Sequence, residues 1–269
     1  MELAGLNGRG LVLVGCGNMG GALLDGWLEG GLAPASVGVI DPKPRADLAE
    51  RGIAVNDGLP EDPAVMVIAV KPQMMAEVLP SLQARAGKDT LVLTVAAGTN
   101  IPTYEAAFPN SPVVRAMPNT PAAIRQGISA IVGNGKAGDA QMALAEMLMG
   151  VVGPVVRLEG ESQMDAVTGL SGSGPGYVFY LIEAMTEAGV AEGLPREMAQ
   201  KLATATVAGA GALAMASAEQ PSVLRDRVTS PNGTTAAGLS QLMNPEDGLE
   251  PLMRRTVAAA AARGRELGK

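Results

Sequence analysis

The chain of 269 residues has room for one large domain or two ordinary ones, and its 47% hydrophobic and 17% charged residues place it among globular proteins. A net charge of −7 without any Lys/Arg cluster argues against nucleic acid or an anionic membrane as partner. With no histidine and a single cysteine, Ser-His-Asp and Cys-His catalysis, a His- or Cys-built metal site and an internal disulfide are all excluded.

Six aromatic residues leave the core to Ala, Val, Leu, Ile and Met. No apolar run reaches the roughly 18 residues that span a bilayer. The Ala-rich stretch 202–218 is interrupted by Thr204, Thr206, Gly209, Gly211 and Ser217, as in a packed helix. The first residues show no basic-then-apolar leader pattern, so a cytoplasmic location is expected, in keeping with the lone cysteine.

Up to residue 158, short β-branched runs alternate with helical stretches, the pattern of an α/β domain with a mostly parallel sheet. Strands are predicted at 11–14, 37–40, 65–70, 90–95, 112–116, 127–132 and 151–158. Helices are predicted at 20–30, 45–51, 73–84, 101–107 and 138–149. Most of the strand runs are continuously apolar, as expected where both faces of a sheet are covered. Beyond Gly160 no such run recurs, and helices are predicted at 161–168, 176–191, 195–218, 234–243 and 245–267. Pro195 and Pro245 suit first-turn positions. The division is therefore 1–160 for a dinucleotide-binding domain and 161–269 for an all-helical one, whose Ala- and Gly-bearing apolar faces suit dimerisation.

Gly15-Cys16-Gly17-Asn18-Met19-Gly20 follows the first strand and opens a helix, and Asp41 ends the second strand 21 residues after Gly20. Gly15 suits a tight turn, Gly17 a close approach of backbone to pyrophosphate, and Gly20 helix-on-strand packing. The helix start adds free N–H groups and a positive dipole end. Cys16 reads as a small residue in a crowded turn. Asp41 favours an unphosphorylated ribose, whereas Lys43 and Arg45 just after it suit a 2′-phosphate, so NAD and NADP stay open.

The stretch from Leu224 to Thr235 holds a turn, Ser230-Pro231-Asn232-Gly233, and then a helix start. Hydroxyls and N–H groups gathered there suit a carboxylate, although on this segment alone a Ser/Thr N-cap is the plainer reading. Ser171 to Gly176, rich in Gly with one Pro, interrupts the first helix of the second domain and predicts a kink, since each such residue costs roughly 1–3 kcal/mol in a helix.

Taken together, GCGNMG (15–20), AVKPQ (69–73), RAMPNTPA (115–122), GLSGSGPGYVF (169–179) and LRDRVTSPNGTTAAGL (224–239) resemble the pyrroline-5-carboxylate reductase family, in that family's order. The resemblance implies an α/β Rossmann-type dinucleotide-binding domain followed by an all-α dimerisation domain. It implies reduction of the cyclic imine L-1-pyrroline-5-carboxylate to L-proline with NADP or NAD, and a homodimer that some members assemble into decamers. By position, Gly15, Cys16, Gly17, Asn18, Met19 and Gly20 would hold pyrophosphate. Asp41, Asn56, Ala69, Val70, Lys71, Pro72, Ala96, Ala97 and Gly98 would complete the cofactor site. Glu219, Ser230, Asn232, Gly233, Thr234 and Thr235 would bind substrate, with the Thr235 hydroxyl reaching the ring nitrogen as the catalytic contact.

Three positions depart from the family. Asn232 stands where a second glycine is usual, Gly176 where alanine is usual, and Asp41 where NADP-preferring members lack an acid. The missing histidine suits an imine, whose nitrogen takes a proton from water or a weak donor, better than it suits a ketone. Lys71, next to Pro72, reads as pocket lining more than as an acid. The competing readings are a β-hydroxyacid dehydrogenase, with Lys201 as its catalytic lysine, and a non-catalytic dinucleotide-binding protein.

Overall fold

The computed structural model describes residues 3–268. Its strands β1 (Leu11–Val14), β2 (Val37–Ile40), β3 (Ala54–Val55), β4 (Val65–Ile68), β5 (Leu91–Thr94), β6 (Val113–Met117), β7 (Ser129–Gly133) and β8 (Val155–Arg157) form one sheet in the order 3-2-1-4-5-6-7-8. Every pairing is parallel except that of β6 with β7. The first six strands thus follow the 3-2-1-4-5-6 order of a dinucleotide-binding sheet, which bears out the expected α/β class.

The continuous apolar runs follow from burial on both faces. Leu11, Leu13, Val65 and Val67 point to one side, where they meet Leu23 and Trp27 of α1 (Asn18–Glu29) and Leu148 of α5 (Asp139–Gly150). Val12, Val14, Met66 and Ile68 point to the other, against Met75 and Leu79 of α3 (Met75–Leu82) and Tyr104 of α4 (Ile101–Ala107). Each fully buried side chain of this size contributes roughly 1.5–3 kcal/mol. Trp27, with no exposed surface, still satisfies its indole by donating to the Leu148 carbonyl at 2.8 Å.

The chain folds as two compact units. Ser173–Ala259 forms the second, and the described residues before it join those from Ala260 to Gly268 in the first. The second unit contains α7 (Gly174–Ala191), α8 (Arg196–Ala216), α9 (Pro221–Arg227), α10 (Thr234–Leu242) and the start of α11 (Leu249–Leu267). Among its described residues the buried apolar side chains are Ala199 and Ala203, while Phe179, Tyr180, Leu213 and Met215 are exposed.

Several boundaries differ from expectation for identifiable reasons. The predicted strand 151–158 shrinks to β8 because Gly153 adopts φ +140 and Pro154 follows it. The predicted helix 45–51 keeps one α turn, α2 (Asp47–Glu50), and 73–84 divides into α3 flanked by 3₁₀ turns, with Pro80 lacking a donor inside it. The last helix starts at Leu249 and not at Pro245, because the Asn244 side chain accepts from the Glu246 N–H (2.9 Å) and its carbonyl from Gly248 (3.0 Å), closing a separate turn. Pro195 precedes α8 as its N-cap. The predicted kink is a π-helical stretch, Thr168–Gly172, between α6 (Met164–Val167) and α7, and Pro175 lies in the first turn of α7. Among the strands and α-helices of the described residues, β3 had no prediction because it has two residues, and α9 because it is a short helix among polar residues.

Candidate functional site

The residues expected around a dinucleotide fall along the carboxyl ends of consecutive strands. Gly15 leaves β1, Asp41 leaves β2, Asn56 follows β3, Ala69 to Pro72 follow β4, and Ala96 to Gly98 follow β5. The geometry of the glycine loop explains its composition. Gly15 has φ +90, its N–H donates to the Ile40 carbonyl at 2.8 Å, and an added Cβ would lie 2.9 Å from backbone atoms of Ala69. A Cβ on Gly20 would overlap the Gly15 carbonyl, so helix and turn approach as closely as backbone permits.

Gly17 instead faces open space, with nothing within 4 Å of an added Cβ. As the N-cap of α1 it supplies no side-chain acceptor, and the first turn carries no acidic residue. The amides at this helix start are thus left without a side-chain cap, an arrangement that suits an outside anion such as a dinucleotide pyrophosphate. Cys16 is buried in the same loop, and burial pushes its thiol above the ordinary value, with Arg45 offsetting this only in part.

Asp41 is fixed on all sides. Its carboxylate accepts the Cys16 N–H at Oδ2 (2.7 Å) and the Lys43 N–H at Oδ1 (2.8 Å). Its backbone is clamped by Asn56, whose Oδ1 accepts the Asp41 N–H and whose Nδ2 donates to the Asp41 carbonyl, both at 3.0 Å. Asn56 holds this pose at φ +61, a conformation Asn tolerates better than other non-glycine residues. Arg45 pairs with Asp25 (2.9 Å) and Asp47 (2.7 Å), and Arg51 bridges the same two carboxylates at 2.6 and 3.2 Å.

Val70 is buried, while Lys71 and Pro72 are exposed where β4 ends. At the end of β5, the Thr94 and Tyr104 hydroxyls hydrogen-bond at 2.6 Å, and Thr94 Oγ1 accepts the Ala96 N–H at 3.3 Å. Gly98 has φ +74, and a Cβ there would stand 3.3 Å from that of Leu267.

Arg115 had no predicted role, yet its 5%-exposed side chain donates from Nη1 to Glu161 Oε1 at 2.7 Å. The same oxygen accepts the Ile101 N–H at 2.8 Å, so one carboxylate ties β6 to the start of α4. A lone arginine inside the apolar run 112–116 was the available signal, because a buried charge demands a partner.

In the second unit the Ser230–Thr235 segment is a tight turn entering α10. Gly233 donates to the Ser230 carbonyl at 3.0 Å, and Asn232 sits at φ +58, so the turn keeps the left-handed residue that the family usually supplies as glycine. The N-cap of α10 is Gly233 and no side chain caps it, which removes the plainer Ser/Thr-cap reading. Ser230, Asn232, Thr234 and Thr235 are exposed around uncapped amides, an arrangement suited to a carboxylate. Glu219 pairs with Arg227 in the same unit. Among the described residues no cluster of His, Cys, Asp or Glu suits a metal ion, and no helix is long and apolar enough to cross a membrane.

Sheet order and loop together define a protein with a dinucleotide-binding fold. Residues 161–267 match the family model described as pyrroline-5-carboxylate reductase dimerisation, and residues 11–98 match the one described as NADP oxidoreductase, coenzyme F420-dependent. The chain is 40% identical to pyrroline-5-carboxylate reductase of Pseudomonas aeruginosa over 266 residues, covering 96% of this chain and 97% of the relative. The solved pyrroline-5-carboxylate reductase of Coxiella burnetii superposes with a TM-score of 0.89 at 32% identity, covering 97% of this chain and 99% of that one. The Plasmodium falciparum pyrroline carboxylate reductase, solved with NADP bound, gives 0.83 at 26% identity over 98% and 100%. The chain belongs to the pyrroline-5-carboxylate reductase family.

Proposed function

We propose that this chain reduces L-1-pyrroline-5-carboxylate to L-proline with NAD(P)H, the last step of proline biosynthesis. The observation that carries this reading is full-length similarity to pyrroline-5-carboxylate reductases, joined to a glycine loop whose open side and uncapped helix start fit a dinucleotide. When bound, the nicotinamide supplies the hydride.

The residues divide the remaining work. Gly15 to Gly20 form the loop that receives pyrophosphate, with the uncapped amides at the start of α1 as donors, while Asp41 and Asn56 border the ribose. Ala69, Val70, Lys71, Pro72, Ala96, Ala97 and Gly98 line the approach to the nicotinamide. Ser230, Asn232, Gly233 and Thr234 hold the substrate carboxylate, and the Thr235 hydroxyl hydrogen-bonds the ring nitrogen. Once that nitrogen is protonated, the C=N carbon is electron-poor enough to accept hydride, so no strong general acid is required and the absence of histidine is no obstacle.

Residues 1–160 serve as the cofactor domain and 161–269 as the domain for dimerisation and substrate. The exposed apolar side chains of α7 and α8 support a homodimer. A decamer is the further assembly we propose. Partners are small molecules, with no nucleic acid, and the location is cytoplasmic. The acidic charge supports the first of these and the lone cysteine the second.

One assay separates this from a β-hydroxyacid dehydrogenase and from a non-catalytic dinucleotide-binding protein. Loss of NADH or NADPH absorbance is followed with the cyclic imine, in parallel with NAD(P)⁺ reduction by 3-hydroxy acids. Turnover of the imine with proline formed mole for mole is expected. Turnover of a 3-hydroxy acid alone, or of neither, would overturn the proposal.

A further inference from the structure

The sequence leaves the phosphorylation state of the cofactor open because an acid and two bases crowd the end of β2. Side-chain geometry separates their roles. The Asp41 carboxylate is held beside the phosphate loop by the Cys16 and Lys43 amides, at 2.7 and 2.8 Å, and its backbone is clamped by Asn56. Each of its oxygens keeps acceptor capacity after those bonds. The carboxylate therefore offers acceptors to hydroxyls and a fixed negative charge to anything else placed there.

Arg45 would be the natural fork for a 2′-phosphate, but each of its three nitrogens already donates to a carboxylate, which uses three of its five N–H groups and pairs its charge. Nε and Nη2 donate to the two oxygens of Asp47 (3.0 and 2.7 Å), and Nη1 donates to Asp25 (2.9 Å). Arg51 completes a four-member cluster of two guanidinium groups and two carboxylates, which is neutral as a whole. Lys43 is exposed and is a hydrated point charge without a planar fork.

We infer that Asp41 makes the adenosine pocket select the unphosphorylated dinucleotide, so that NADH is the preferred reductant and Arg45 is withheld from a 2′-phosphate by Asp25 and Asp47. This rests on the reading that residues 15–20 hold a dinucleotide. A like charge set against Asp41 costs enough to separate the two cofactors by on the order of tenfold or more in Kd.

The test is titration calorimetry of the whole protein, without substrate, against NAD⁺ and NADP⁺. NAD⁺ binding tighter by on the order of tenfold or more is expected, whereas equal affinities or tighter NADP⁺ would overturn the inference. If neither bound, the dinucleotide reading itself would fall with it. In Asp41→Ser the gap should close mainly through gained NADP⁺ affinity. A second variant leaves the loop untouched: Asp25→Asn with Asp47→Asn releases Arg45 and should raise NADP⁺ affinity several-fold while NAD⁺ affinity holds. An unchanged NADP⁺ affinity in both variants would contradict the assigned roles.

Discussion

Trp27, Leu11, Met66 and Ile68 in the sheet-bearing unit are wholly buried by their own chain, whereas in Ser173–Ala259 Phe179, Leu213 and Met215 are 59%, 59% and 78% exposed. The first unit encloses its apolar side chains between two helical layers and a sheet. The second arranges comparable side chains along α7 and α8 and leaves them for a surface outside the chain. Such exposure is how an obligate association region looks in one protomer. The contrast extends to chemistry, since the first unit carries a glycine loop opening an uncapped helix and the second an uncapped helix start ringed by hydroxyls.

The largest effect expected comes from separating the two units by mutation. Gly20→Ala places a Cβ against the Gly15 carbonyl and should raise the Kd for NADH by on the order of a hundredfold. Light scattering should still report the parent oligomer, because the lesion is confined to the loop. Dissociation of that oligomer would break the proposed independence. The converse change, Leu213→Glu on α8, places a charge on the exposed apolar face and should weaken self-association by on the order of tenfold or more. Sedimentation measures it, and an unaltered dimer would remove this face from the interface.

A smaller effect concerns acid stability of the first unit. At Asp25 burial opposes ionisation, but hydrogen bonds from Arg45 and Arg51 outweigh it and hold the carboxyl below its ordinary value. At Asp47 the hydrogen bond from Arg45 brings the pKa down to about 2, from 3.8. A depressed carboxylate stabilises the fold above its unfolded pKa, and that contribution is lost as pH falls from near 4 through about 2. The Tm of the parent should therefore exceed that of Arg45→Met near neutral pH and converge with it by about pH 2, as followed by circular dichroism. A constant difference across that range would contradict the cluster's role.

How much was legible beforehand follows the same division. The sheet was readable because strands buried on both faces must be continuously apolar, as in Leu11–Val14 and Val65–Ile68. The glycine loop was readable because backbone overlap at Gly15 and Gly20 admits no side chain. The arrangement around Asp41 was not, since whether Arg45 faces a ligand or Asp25 and Asp47 depends on how α1 and α2 pack, which no local spacing encodes. The lone Arg115 in an apolar run signalled a buried charge, but its partner Glu161 lies 46 residues away and no local spacing names it. In the second unit the longer helices were legible from composition, whereas α9, one short helix among polar residues, was not. The start of α11 was misplaced because the Asn244 turn competes locally with helix.

Division of labour between the glycine loop and the Ser230–Thr235 turn is tested most directly by Thr235→Ala, measured for both NADH affinity and imine turnover. The account predicts a Kd for NADH within about twofold of the parent and a kcat lower by on the order of tenfold to a hundredfold. An unchanged kcat, or a cofactor affinity that falls along with it, would contradict the account.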